Sequence, residues 1–401
     1  LVAANLGSSP RGNAYAIVAG TQALLAAILT GTINACLPPV LAQEPRAQQS
    51  LLRKALRLTT IAGVFTGLAC FATTTVLLTT SFATDLTTGE IVGSGLLFAA
   101  SIPMVACGSV LGVALNAQRR LILAALPTMG SAVGVLTAVT LMPRGLAQLG
   151  CGLIAGVSAG LAVSASATLK KARVESQSVA SAENAANLLR RSRDAAFAVT
   201  LASGLTFADT VILAVLSPTD AAAFSYASRI PIGLHAIAST IASTRLIHIF
   251  SESIHRGNTA STFRQCMALC GIVLTVTALL AIVLDLNSVA IISQVFQRGE
   301  FDASLTATVA RTHAVLIWYL PPALASQVVN QFIWAVGHNR VLVWITGGAL
   351  LVKLTVGPAA VAYAGLIGIA WTQVLVYALA SVAVLTTAVR YARTSPSAQQ
   401  S

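Results

Sequence analysis

Five charged residues stand where a charge is costly. Asp209, Arg229, Arg245, Arg311 and Lys353 lie inside long apolar runs, and every other Asp, Glu, Lys and Arg falls in the short gaps between them. An ionisable side chain surrounded by hydrocarbon marks a pathway, a binding site or a buried pair. Arg229 is eight residues inside the run 221–250, about 12 Å deep at 1.5 Å per helical residue. On a helical wheel it shares a face with Gly233, Ala236, Thr240 and Ser243, a small and polar stripe suited to lining a wet cavity. Its planar guanidinium donates two hydrogen bonds at once, the geometry a phosphate accepts. The competing reading is a bond to a carbonyl of a neighbouring helix. Arg311 lies at matching depth in the run 303–331, followed by Thr312 and His313. Two arginines at one depth would bracket an anionic headgroup; snorkelling to the outer surface is the alternative for Arg311. Arg229, Arg311, Thr240 and Ser243 are therefore the expected substrate-binding residues.

The other three charges read differently. Arg245 is on the opposite face of its helix and near the end, where snorkelling accounts for it. Asp209 and Lys353 fall near the middles of their runs. Either they pair with each other, or Asp209 holds a cation or proton that couples transport. Asp209, Lys353 and the hydroxyl of Thr372 are the ion-coupling candidates.

The elements that position these residues follow from hydropathy. The chain has 401 residues, 56% of them hydrophobic and 9% charged, against about 25% charged in soluble domains. The apolar runs are 13–41, 58–82, 91–116, 121–143, 146–169, 195–217, 221–250, 265–284, 303–331, 341–364 and 366–389. Each is long enough to cross about 30 Å of hydrocarbon as a helix. Backbone groups find no water there, so helices are the default, and no alternating barrel pattern competes. The class is all-α and polytopic.

The net charge of +12 does not mark a nucleic-acid binder, because the cations track membrane sidedness. Arg46, Arg53, Lys54, Arg57, Arg119, Arg120, Lys170, Lys171, Arg173, Arg190, Arg191, Arg193, Arg256, Arg264, Arg340, Arg390 and Arg393 sit in one set of alternate gaps and the tail; the other set holds only Arg11, Arg144 and Arg298. The positive-inside rule makes the first set cytoplasmic. The first run then begins on the outer side, so an entering helix is expected upstream and the architecture is six plus six helices, the first one largely missing. The expected organisation is an N-terminal bundle over 1–169, a cytoplasmic linker over 170–194 and a C-terminal bundle with a short polar tail over 195–401.

Several chemistries are excluded. No P-loop, strand-bound GxGxxG, nucleophile elbow or HExxH occurs. The chain is not expected to be an enzyme or to carry a cofactor or metal; uphill work would draw on a monovalent cation or the membrane potential. The cysteines at 36, 70, 107, 151, 266 and 270 show no metal spacing and read as buried, inert thiols. Gly63/Gly67, Gly108/Gly112 and Gly152/Gly156/Gly160 repeat every four residues, the spacing of close helix packing.

The stretch Val295-Phe296-Gln297-Arg298-Gly299-Glu300-Phe301 resembles the aromatic-x-Arg-Gly-x-Phe outer loop of the MurJ/MviN family of lipid II flippases. Tyr226-Ala227-Ser228-Arg229-Ile230-Pro231-Ile232-Gly233 is similar to that family's Tyr-Ala-x-Arg-Leu…Pro-x-Gly segment, and Phe332-Ile333-Trp334-Ala335 with His338-Asn339-Arg340 resembles a third. The resemblance implies two six-helix bundles in a V, a central cationic cavity and alternating access. Its cargo would be an undecaprenyl-pyrophosphate-linked sugar moved from inner to outer leaflet of the bacterial plasma membrane. Arg229 matches a functionally important arginine, and Arg298, Gly299 and Phe301 form the family's outer loop. The chain departs from the pattern in its first run. The family has an acidic residue near Asn13, an arginine near Ala26 or Ala27, and Glu-Gly-Ala-Phe where Thr30-Gly31-Thr32-Ile33 stands; only the glycine survives. The expected function is lipid II flipping, with lipid-linked oligosaccharide and membrane lipids as partners. The alternatives are a flippase for another polyprenyl-linked glycan, or a non-transporting paralogue that scaffolds cell-wall synthesis proteins.

Overall fold

The computed structural model describes residues 6–7, 9–43, 48–82, 86–118, 120–141, 146–172 and 182–394, and among these there is no strand. Eight helices among the described residues are long and apolar enough to cross a membrane. One of the eight, Asn339–Ala392, contains two of the apolar runs. The chain divides into two compact units, Leu1–Ala222 and Ala223–Ser401.

The first unit comprises α1 (Pro10–Gln43), α2 (Gln48–Phe82), α3 (Thr88–Ala117), α4 (Leu121–Leu141), α5 (Leu146–Ala172) and α6 (Ala182–Leu216). At the start of α3, Thr87 and Glu90 form a reciprocal capping box. Glu90 also receives Arg11 Nε at 2.9 Å, which ties the beginnings of α1 and α3 together. Glycines set the packing inside the unit. A Cβ on Gly156 of α5 would lie 1.9 Å from the Gly130 carbonyl oxygen of α4, and one on Gly134 would lie 2.1 Å from that of Gly152. Backbone thus rests on backbone, which only glycine permits.

Two boundaries differ from the sequence expectation. Helix α2 begins well before its apolar run, so Arg53, Lys54 and Arg57 stand exposed on a helical extension. Helix α6 begins at Ala182, inside the stretch expected to be a linker, whose residues 173–181 lie outside the described set. Helix α6 also belongs with the first unit, whereas the run 195–217 was expected to open the second. The reason is shape: Gly20 of α1 leaves room for the Thr210 side chain, and Gly31 for Val199. Hydropathy counts spans but is blind to such pairings. Among the cysteines, Cys70 and Cys266 are buried, but Cys107 and Cys270 are half-buried and Cys151 is exposed on α5, contrary to the expectation that all are sealed; Cys36 lies outside the described side chains.

The second unit continues α7 (Ala221–His255), which begins in the first, and adds α8 (Thr259–Leu286), α9 (Ser288–Phe296), α10 (Ala303–Leu316), α11 (Leu320–Val336) and α12 (Asn339–Thr394). The run 303–331 is not one regular helix: a 3-10 turn over Ile317–Tyr319 divides α10 from α11. Helix α12 is broken at Gly365, whose φ of 56° and ψ of −135° is a glycine conformation. The break separates 341–364 from 366–389, as the apolar pattern predicts. The core gathers Ala281, Ile317, Tyr319, Leu320 and Ala323, with Leu234, Trp318 and Tyr377 packed on it.

Candidate substrate-binding face

Arg229 is positioned by what lies behind it. Tyr226, one turn earlier on α7, is buried, and its ring lies 5.8 Å from Phe296 and 5.5 Å from Phe301 between centroids. Phe296 and Phe301 stack on each other at 5.8 Å. The loop after α9 makes this cluster possible. Gly299 has a φ of 61°, which turns the chain back so that Phe301 is inserted at 1% exposure. The Phe301 N–H donates to the Arg298 carbonyl at 3.2 Å, and Arg298 Nη2 donates to the Gln294 carbonyl at 3.2 Å. Asp302 closes the loop by accepting the Leu305 N–H at 2.7 Å as the N-cap of α10. That bond, with a second from Ser304, holds the Asp302 carboxyl below its usual range. Arg298, Gly299 and Phe301 therefore act through Tyr226, as a buttress behind the helix that carries Arg229.

The opposite face of α7 is open. Arg229, Ile232, Gly233, Ala236 and Ile237 are all exposed, and a Cβ added to Gly233 would meet nothing within 4 Å. Arg229 makes no hydrogen bond or ion pair to a described residue. Thr240 and Ser243 belong to α7, but their side chains lie outside the described set. Arg311 is exposed on α10, while the adjacent Thr312 and His313 are buried. His313 Nδ1 lies 2.9 Å from Ser288 Oγ, and Trp318 Nε1 donates to Asp285 Oδ2 at 3.0 Å. These bonds fasten α10 and the turn after it to α8 and α9. Arg245 is exposed.

The ion-coupling candidates are buried. Asp209 lies on α6 in the first unit, at 2% exposure. Lys353 lies in the second unit with no exposed surface, and its ammonium donates to Gln373 Oε1. Gln373, a neutral amide from the second half of α12, is thus a partner of Lys353 that hydropathy alone does not single out. Its only signal was a polar side chain beside Thr372 in an apolar run. Thr372 is buried and donates to the Gly368 carbonyl at 3.0 Å. Asn13, where the family pattern has an acid, is also engaged: its Oδ1 accepts the Ala222 N–H at 2.7 Å, in the first turn of α7. Among the described residues no group of three or more His, Cys, Asp or Glu side chains gathers where it could hold a metal ion.

A model of the MurJ lipid II flippase family matches residues 2–399. The chain belongs to that family. No curated protein sequence matches it. Among solved structures, a lipid II flippase MurJ in an inward closed conformation superposes with a TM-score of 0.74 at 14% identity, covering 96% of this chain and 83% of that one. An inward-facing multidrug resistance MATE transporter of the MOP superfamily gives 0.76 at 14% identity over 98% and 92%. A MOP superfamily transporter from Pyrococcus furiosus gives 0.69 at 11% identity over 96% and 88%. Identities this low establish the fold alone. Family membership makes the chain a multi-pass inner-membrane protein of a flippase family acting in cell-wall synthesis. The single glycine kept in the divergent first run is held by packing: a Cβ on Gly31 would lie 2.1 Å from Val199 of α6.

Proposed function

We propose that this protein moves lipid II, a polyprenyl-pyrophosphate-linked sugar, from the inner to the outer leaflet by alternating access. The observation that carries the reading is Arg229: a guanidinium eight residues inside the apolar run 221–250, with no hydrogen bond to a described residue, on an open face of α7 beside a glycine. A diphosphate offers paired oxygens to the guanidinium fork, and hydrogen bonds of this charged kind are worth about 1.5–3 kcal/mol. Gly233 leaves room for the phosphate to approach the helix backbone. Arg311 adds a second cation for the same headgroup. Coupling in this reading runs on the membrane potential or a monovalent cation, with Asp209, Lys353 and Thr372 as the buried polar set that responds. Cell-wall synthesis proteins are the partners that would supply and consume the cargo.

The test is a leaflet-resolved measurement of lipid II in cells depleted of the protein and complemented with variants. Depletion should trap lipid II in the inner leaflet. Wild type and Arg245→Ala should restore export, and Arg229→Ala should not. Unchanged lipid II export on depletion, with loss of another surface polysaccharide, would move the reading to a different polyprenyl-linked glycan.

A further inference from the structure

Helix α11 carries polar side chains with nothing to bond. Gln331 has no exposed surface, yet neither its Nε2 nor its Oε1 has a hydrogen-bond partner. Asn330 Oδ1 and Trp334 Nε1 are buried and unbonded as well. Asn330 Nδ2 reaches only Gln327 Oε1, at 3.4 Å. Buried polar groups are nearly always satisfied, so several orphans on neighbouring residues call for a cause. They are not scattered: Gln327, Asn330, Gln331 and Trp334 fall within an arc of about 100° at 3.6 residues per turn. The stripe occupies the half of α11 that ends at the loop 338–340, the side the cation pattern marks as cytoplasmic. The rest of the helix is anchored elsewhere. Cys266 Sγ donates to the Val328 carbonyl, Cys270 Sγ to that of Ala325 at 3.6 Å, and Ser381 Oγ to that of Pro322 at 2.5 Å.

The residue types specify a ligand. An amide presents a donor and an acceptor side by side, matching a hydroxyl or an acetamido group, and an indole adds one donor with a flat apolar face. No charge belongs to the set, so it does not suit a phosphate. We propose that this face of α11 is a subsite for the neutral, hydroxyl- and amide-bearing part of the cargo, its sugar. The subsite is closed in the present conformation and opens when the cytoplasmic half of the second unit admits cargo. The proposal rests on the flippase reading and adds to it a division of labour. Arg229 takes the diphosphate; the α11 stripe takes the glycan and makes a glycan-bearing lipid preferable to a bare one. The unmet hydrogen bonds of the closed state also favour opening, because they are recovered only on a polar partner.

The full-length protein in detergent is titrated with two probes, undecaprenyl pyrophosphate and the same lipid bearing an N-acetylated disaccharide, with binding read by native mass spectrometry. Wild type should prefer the glycan-bearing lipid. Gln331→Leu should lower that preference about tenfold, the size of one lost hydrogen bond, with affinity for the bare lipid unchanged. Trp334→Phe, which deletes the N–H and keeps a ring, and Asn330→Leu should lower it less. Should Gln331→Leu fail to fold, these two variants decide the matter. Equal binding of both probes by wild type, an intact preference in the variants, or a parallel loss of both lipids would overturn the subsite. Failure of wild type to bind either probe would instead overturn the flippase reading.

Discussion

The two units hold themselves together by different means. In the first, glycines bring helices into backbone contact: Gly130 and Gly134 of α4 meet Gly152 and Gly156 of α5, Gly63 of α2 meets Pro103 of α3, and Gly20 and Gly31 of α1 seat α6. In the second, Gly233, Gly271 and Gly348 meet nothing within 4 Å of an added Cβ. That unit is joined by polar and aromatic side chains instead: Lys353 with Gln373, His313 with Ser288, Trp318 with Asp285, and Tyr226 with Phe296 and Phe301. Lipid chains are as apolar as leucine, so helices in a membrane associate through close van der Waals contact or through hydrogen bonds. Each unit relies mainly on one of these. The first is a scaffold sensitive to volume; the second, which holds Arg229 and Arg311 of the proposed headgroup site, is sensitive to charge.

Paired glycine variants should expose the contrast most strongly. Gly156→Ala puts a methyl 1.9 Å from the Gly130 carbonyl oxygen, while Gly271→Ala places one in open space. The first should cost about 3 kcal/mol or more, as backbone must separate, and abolish the monodisperse folded peak in size-exclusion chromatography; the second should leave it intact. Equal tolerance of both would erase the distinction between the units. Next comes the buried amide. Gln373→Leu removes the acceptor the structure gives the sealed Lys353 ammonium, and the melting temperature should fall by an amount equivalent to about 2–3 kcal/mol. Adding Lys353→Met should recover most of the loss, since an apolar pair of similar volume replaces a buried charge. No recovery would mean the lysine has a role beyond its bond to Gln373.

Arg229→Ala sharpens the comparison from the other side. The residue is exposed and makes no hydrogen bond to a described residue, so stability should change by no more than about 0.5 kcal/mol. Lipid II export should fall at least about tenfold with the lost diphosphate contact. A collapse of stability would recast Arg229 as structural. The smallest effect is at Asp302. Its folded carboxyl is held below its ordinary value by the Leu305 and Ser304 bonds. Its contribution is therefore complete at neutral pH and is lost as the pH falls through the depressed value. Hydrogen exchange at the Leu305 amide should accelerate only in strong acid, and Asp302→Ala should remove that dependence.

Much of this was legible in one dimension. Hydropathy placed the helices because an unpaired peptide group is intolerable in hydrocarbon, so each apolar run must be helical whatever its neighbours are. The five charges inside apolar runs singled out Arg229, and helical periodicity placed Gly233 and Ala236 on its face; that the face is open is a structural finding. The Arg-Gly-x-Phe loop was visible as a pattern, but its task was not: that Phe301 seats against Tyr226 depends on two segments far apart in sequence. The same holds for the bond between Lys353 and Gln373: nothing local marks that amide out among the polar groups in apolar runs.

The sequence alone determined that the chain crosses the membrane repeatedly as helices, which gaps carry the cations, and where charge enters the apolar layer. These are properties of each segment against its solvent. The tertiary structure alone decided that α6 packs with α1, that the run 303–331 breaks into α10 and α11, that Lys353 bonds an amide, and that the Gln331 amide of α11 is sealed without a hydrogen-bond partner. Those outcomes turn on which surfaces fit at a few ångströms, and fit between distant segments is not encoded in the hydropathy of either one.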